Sequence, residues 1–433
     1  MRSRTLGALA GALAVAATAV VPVGAHASGT APQPALTAVP CPPDNQPDAE
    51  ALDTPGASPL ATELDFTTLH ADYPAATDVG VAVLGTGVVP SARLAVEGSG
   101  TFGSPAPTAQ VESLHGTQVA GIVAGTAADG EPAPGVAPGA RIFSVQVADV
   151  RTGEAPEGGG GPQLVEPTAQ SVEAGLAWVA QNAANLGIRV ATVSVGVADA
   201  GDGALETQVA ALADQGVLVV AAQGEAVPPE EPYGPGNPPP DISTDEPPSF
   251  PAGFEQPHVL AVGALPRLGS DAAGTNVPSY RTDVVAPSGA ITFDGLGGTC
   301  EVDGSSGYAA AVVSGVAALM FASNPGWTPA QVRTRIIETA GGVTDAPNAY
   351  SGAGSVQPVE ALSRVLDVQP DGTLVESSGV PRESVQAQAP RLPEDPLDRS
   401  RTEFLWWGLL AGAGVVLALV LRPALRRAGR GTR

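Results

Sequence analysis

Apolar positions along the chain fall into two alternating kinds of run. The short, mostly apolar ones are Val79–Leu84, Arg141–Val147, Arg189–Val193, Val217–Ala222 and Val259–Val262. They have the length and composition of strands buried on both faces. Longer stretches with a helical period lie between and after them: Thr117–Ala124, Ala169–Asn185, Ala204–Gln215, Tyr308–Ser323 and Thr328–Thr339. Strands without a polar face, separated by helices, predict an α/β domain with a mostly parallel sheet between helical layers. Ala309–Ala322 is an unusually apolar helical stretch. It is too short for an easy membrane crossing and reads as a helix buried on all sides, entered through the small residues Asp303–Gly307. The first turn of such a helix presents unpaired N–H groups and the positive end of the helix dipole, which supports a nucleophile placed there.

The pattern changes at both ends of this body. Arg2 and Arg4 precede the apolar run Leu6–Val21, and Ala25-His26-Ala27 offers a small-x-small cleavage site. Residues 1–27 therefore read as a signal peptide, with an uncleaved anchor as the other reading. Residues 28–64 are rich in Pro, Asp and Ala without periodicity and read as an extended N-terminal arm. The body spans residues 65–366, interrupted by a Gly/Glu-rich insertion at Asp149–Thr168 and a Pro- and acid-rich one at Glu225–Ser249. Residues 367–402 read as a flexible linker and residues 403–422 as one C-terminal transmembrane helix. Its uncharged core, Phe404–Leu421, would extend ~27 Å as a helix, close to the hydrocarbon thickness. Trp406 and Trp407 sit near one end, and Arg422, Arg426, Arg427, Arg430 and Arg433 follow. Interfacial aromatics and a positive tail, residues 423–433, put the C-terminus in the cytoplasm and the body outside a cell membrane crossed once.

Composition narrows the function classes. The 433 residues are 43% apolar but only 4% aromatic, and the formal charge is −24. No lysine is present. Such a chain repels nucleic-acid phosphates, so that partner is excluded. Scattered Asp and Glu show no ligand spacing that singles out a metal site, and nothing points to a cofactor. The two cysteines, Cys41 and Cys300, cannot make a zinc site unaided. Export favours one disulfide between them, with two free thiols as the other reading. That bond would pin the arm beside the Asp303–Gly307 turn and close a very long loop, an effect on the unfolded chain of ~4–5 kcal/mol.

Several strings carry candidate chemistry. Leu114-His115-Gly116-Thr117-Gln118-Val119-Ala120-Gly121 places a histidine ahead of a helix of small residues. Val81-Ala82-Val83-Leu84-Gly85-Thr86-Gly87 ends a strand in a tight turn, and Ala221-Ala222-Gln223-Gly224-Glu225 ends another. Tyr308-Ala309-Ala310 leads into Ser314-Gly315-Val316-Ala317-Ala318-Leu319. Together these resemble the histidine, aspartate, oxyanion-hole and serine motifs of the subtilisin-like peptidases, over about Val79–Val365. The resemblance implies a subtilisin-like three-layer fold and a serine endopeptidase ancestry. It also implies which residues carry the site. His115 matches the family's histidine. Gly85 stands at the Asp position, Glu225 at the oxyanion Asn position, and Gly307 at the Ser position when the helix is matched without a gap. Read with Gly307 as an insertion, Gly304-Ser305-Ser306 makes Ser306 the alternative nucleophile. Ser194-Val195-Gly196 resembles the family's Ser-x-Gly segment that pairs with an extended peptide substrate.

A glycine can neither orient an imidazole nor attack a carbonyl, and a carboxylate repels a developing oxyanion. The resemblance, with these departures, implies a pseudoprotease that serves as a structural or peptide-binding component. An active endopeptidase using Ser306 and His115 is the alternative. The order of signal peptide, cysteine-bearing arm, subtilisin-like body and C-terminal anchor is similar to that of the mycosins. Those are membrane-anchored proteins of actinobacterial type VII secretion systems, which implies secretion membrane components as partners.

Overall fold

The computed structural model describes residues 58–103, 111, 113–128, 133–149, 165–224, 249–265, 278–293, 298–342, 347–375, 406–417 and 419. Seven strands form one parallel sheet: β1 (Gly80–Gly85), β2 (Val96–Thr101), β3 (Arg141–Gln146), β4 (Ile188–Val193), β5 (Leu218–Ala222), β6 (Val259–Leu265) and β7 (Val284–Pro287). Their spatial order is β2-β3-β1-β4-β5-β6-β7, so β1 lies between strands that come later in the chain. A separate antiparallel hairpin joins β8 (Ala290–Phe293) to β9 (Thr299–Val302).

Helices cover both faces, as unbroken apolar strands require. Alternate residues of each strand feed opposite cores. Val81, Val83, Val190, Val220 and Val262 pack with α3 (His115–Ala124) and α6 (Ser306–Ser323). Ala82, Leu84, Ala191, Val193 and Val219 pack on the other face with α4 (Ala169–Leu186) and α5 (Ala204–Asp214). α6 is buried along nearly its whole length, and its apolar run therefore reflects a core position. Each fully buried valine or leucine there contributes roughly 1.5–3 kcal/mol of transfer free energy. Capping boxes start α4 (Thr168 with Ser171) and α7 (Pro329–Glu338; Thr328 with Gln331). Gly187, left-handed at φ 65°, ends α4 and turns the chain directly into β4.

The predicted strands and helices match observed elements within two residues at each end, the usual scatter of element boundaries, except that β6 runs three residues past Val262. Three regions differ in kind. The end of the arm is structured: α1 (Pro59–Glu63) and the residue after it bury Leu60 and Leu64 in the main core, beside Phe66 and Leu69 of α2 (Phe66–Asp72), the first helix of the body. Ser58 Oγ accepts from the Ile291 N–H at 3.2 Å, tying α1 to the hairpin. Edge strand β2 alternates half-buried and exposed positions and contains two glycines, so it has no apolar run to see. After α8 (Pro358–Ser363), residues 367–375 turn back along α7. Gln331 Nε2 donates to Val368 O at 2.7 Å, and Thr334 Oγ1 donates to Gly372 O at 2.7 Å.

Residues 1–57, with the signal peptide and Cys41, lie outside the described residues. So do residues 150–164 and 225–248 of the two insertions, residues 376–405, and the arginine-rich tail. Cys300 is buried on β9 and is not a free thiol. Residues 376–433 form a second unit, whose described part is helix α9 (Trp406–Leu417) with its tryptophans, leucines and valines exposed.

Candidate functional site

Element ends converge at the carboxyl edge of the sheet. β1 stops at Gly85, β4 continues into Ser194–Gly196, and β5 into Gln223–Gly224. The amino ends of α3 and α6 face the same crevice, where open α/β sheets place ligands. The Thr86 hydroxyl fixes α3 beneath β1. It donates to Ser113 O at 2.9 Å and accepts from the Gly116 N–H at 2.9 Å. His115, the first residue of α3, is 1% exposed. The Tyr308 ring of α6 packs on its imidazole, centroids 5.1 Å apart, and the Tyr308 hydroxyl donates to Gln118 Oε1 at 2.6 Å. α3 and α6 are therefore bonded to each other beside the imidazole.

The turn into α6 presents backbone to that imidazole. Ser305 is the N-cap, its Oγ accepting from the Gly307 N–H at 3.1 Å. The Ser305 Oγ lies 3.5 Å from His115 Nε2, too long for a firm hydrogen bond. Ser306 points elsewhere, its Oγ accepting from the Gly224 N–H at 3.1 Å. Gly307 faces the ring. A Cβ built on Gly307 would lie 2.7 Å from Ser194 O, 2.8 Å from His115 Cε1 and 2.9 Å from His115 Nε2. The space a nucleophile's side chain needs is filled.

Gly85 shows the same closure. A Cβ there would lie 2.6 Å from Ser194 Oγ, which donates to Leu84 O at 3.0 Å. The serine hydroxyl occupies the room a side chain at Gly85 would need, and no carboxylate is delivered from the end of β1. Gln223 is buried, its Oε1 accepting from Thr282 Oγ1 at 2.6 Å. Glu225 lies outside the described residues. Behind the turn, Asp303 Oδ1 accepts from Ser288 Oγ at 2.7 Å and from the Gly304 N–H at 2.8 Å. Burial, and secondarily the charge of Asp303, raise the pKa of Glu63 on α1.

Ser194, Val195 and Gly196 lead to a cavity of about 390 Å³ lined in part by Glu166, Pro167, Thr168, Gly196, Val197 and Asp199. One residue on, Val197 already pairs with Phe250 in both directions, at 3.1 and 2.8 Å. A Cβ at Gly196 would lie 2.4 Å from Ser249 Oγ, so this glycine is required by packing as well as by any ligand.

Chemically, the site holds a buried imidazole, a helix amino terminus and two serine hydroxyls. It lacks a carboxylate at Gly85 to fix the tautomer and a hydroxyl at Gly307 to attack. Sequence reasoning did not single out Ser305 or Thr86. The signal for Ser305 was its place just ahead of a helix, where serine caps. Among the described residues no three metal-binding side chains converge.

The sequence model of the subtilase family, peptidase S8, matches residues 77–357. Mycosin-1 of Mycolicibacterium smegmatis is 30% identical over 430 residues, spanning 90% of this chain and 88% of that protein. M-protease of Shouchella clausii is 32% identical over 286 residues, 66% of this chain and 64% of that protein; the chain thus spans under two thirds of that relative. The crystal structure of MycP1 from the ESX-1 type VII secretion system superposes with a TM-score of 0.56 at 26% identity, covering 78% of this chain and 92% of that one. Sheet order, the crevice at its carboxyl edge and these similarities agree: the chain belongs to the subtilase family, in its mycosin branch.

Proposed function

We propose that the chain is a non-catalytic subtilase of a type VII secretion assembly, anchored in the membrane and binding extended peptides without cleaving them. One observation carries this reading: backbone at Gly307, rather than a side chain, packs against the imidazole, with 2.7–2.9 Å to where a Cβ would stand. The absent carboxylate at Gly85 supports it. In subtilisin, a member of the same family, removing the serine costs ~10⁶ in turnover and removing the aspartate ~10⁴, effects that do not add.

The anchor rests on the uncharged stretch Phe404–Leu421, the exposed apolar side chains of α9 and the arginine-rich residues beyond it. The body then lies outside the cell, with Cys41 bonded to Cys300. The association with secretion membrane components rests on the similarity to mycosin-1 and to MycP1. Peptide binding rests on the groove beside Ser194–Gly196, by strand addition.

A second reading is favoured by the Ser305 hydroxyl at 3.5 Å from His115 Nε2: a slow endopeptidase working through the Ser305-Ser306 pair. A fluorophosphonate probe applied to the full chain in detergent separates the two. No labelling is expected. Labelling that vanishes in Ser305→Ala or Ser306→Ala overturns the inert reading and names the nucleophile.

A further inference from the structure

At the amino edge of the sheet, opposite the imidazole, strands begin and helices α5 and α6 end. The start of β4, the loops ahead of β5 and β6, the turn from α6 into α7 and residues 370–371 line a second, open cavity of about 470 Å³ there. Pro257, Pro325, Pro329 and Pro370 line it around Trp327. The indole is held in place: the Arg335 guanidinium stacks 4.5 Å from its ring, and the Trp327 backbone N–H donates to Asn324 O at 3.0 Å. Among the described residues the indole N–H donates to no protein group.

The charges on the wall have a definite sign. Arg189 is committed to the protein, donating to Gly216 O, Pro325 O and Trp327 O at 3.0, 3.0 and 2.7 Å and lying 4.1 Å from the Phe321 ring. His258 Nε2 donates to Val209 O at 2.7 Å, and burial lowers its pKa, against the opposing charge of Asp214. Asp214 and Asp371 remain, both exposed; neither forms a salt bridge with a described residue, and Asp371 Oδ1 accepts from the Thr373 N–H at 2.9 Å.

We infer that this cavity binds an extended, proline-containing segment of a partner protein that carries a basic residue beside its prolines. Three features of the wall call for that ligand. Flat, rigid proline and tryptophan rings pack on a polyproline helix with little loss of entropy, because that helix is already formed. Its backbone carbonyls have no internal partners, and the indole N–H supplies a donor. The two rim carboxylates complement a basic flank and repel an acidic one. The volume fits two or three residues at a time, within the usual range for ligand pockets. The inference does not depend on whether the other edge of the sheet is catalytic.

The test is fluorescence anisotropy of a labelled peptide, Ala-Pro-Pro-Ala-Pro-Pro-Arg, with the full chain in detergent. Saturable binding is expected. Trp327→Phe keeps a ring under Arg335 but removes the N–H, and should weaken binding about tenfold. Asp214→Asn with Asp371→Asn, both at the surface and the latter keeping an oxygen to accept from the Thr373 N–H, should weaken it about threefold to tenfold and flatten its salt dependence. A peptide with alanine for every proline should lose about tenfold or more. Failure to bind at about 1 mM peptide overturns the inference, as does equal binding of the alanine peptide. Sedimentation showing a dimer of the chain that the peptide dissociates also overturns it, since the occupant would then be a second copy.

Discussion

Restoring the missing side chain at Gly307 is the sharpest test of the closed site. In Gly307→Ser the new Cβ must enter a space bounded by Ser194 O at 2.7 Å and the His115 ring at 2.8 and 2.9 Å. Real Cβ contacts almost never fall below about 3.0 Å, so something must move. Ser194 cannot give easily, because its N–H and its hydroxyl both donate to Leu84 O at 3.0 Å. The imidazole is held by the Tyr308 ring, itself bonded to Gln118. Overpacking of this kind costs roughly 1–3 kcal/mol. In a body of this size that lowers Tm by roughly 2–6 °C. Adding Gly85→Asp brings a second collision, 2.6 Å from Ser194 Oγ. Differential scanning fluorimetry of the full chain in detergent reads the stability, and fluorophosphonate labelling reads the hydroxyl. Lower Tm in both variants, without labelling, is expected. A double variant as stable as its parent, and labelled by the probe, would show that the space was open and refute the reasoning.

Four further outcomes follow from the fold. Leu60→Ala should destabilise the body by about 2–5 kcal/mol in chemical denaturation, because α1 is part of the core; a neutral result would return those residues to a free arm. Asp283→Ala should cost about 3 kcal/mol, since it strands Arg333, whose Nη2 donates to Asp283 Oδ1, and leaves the Ala261 N–H without its acceptor; Asp283→Asn should recover part of that loss. Acidification should destabilise the protein through His258 and His70, whose folded pKa values lie below the ordinary 6.5 chiefly because burial disfavours the cation. The unfolded chain binds more protons below that value, so the stability is whole above pH 6.5 and falls as pH drops beneath it; His258→Gln should flatten the slope of Tm against pH. Mass spectrometry without reductant should find Cys41 linked to Cys300, and two alkylatable thiols would refute that bond.

What could be read from the sequence was set by which signals survive locally. β1, β5 and the first part of β6 are apolar runs and β3 and β4 nearly so because both faces are covered, and α6 is apolar almost all round because it runs through the core. These elements position the site, so the crevice with His115, Gly85 and Gly307 was legible. The hairpin β8-β9 was not: four-residue strands containing Thr, Cys and Glu have no period long enough to register. α1 is one turn of five residues whose main signal is a single buried leucine. The direction of each serine at the α6 turn was beyond sequence as well. Ser305 and Ser306 are chemically alike, and only the cap geometry sends one hydroxyl toward His115 and the other to Gly224. Gly196 carries a second demand that has no local signal. Its family role suggests a clear path for a peptide, whereas Ser249 also crowds it.

α6 runs between the two edges of the sheet. Its 18 residues make a rod of about 27 Å whose head is the turn beside His115 and whose tail runs out at Pro325, on the wall of the far cavity. Packed on every side, such a rod cannot bend to absorb a displacement; it passes it along its length. The turn beside His115 and the wall at Pro325 thus belong to one buried element, and the bond from Tyr308 to Gln118 ties the head of α3 to it.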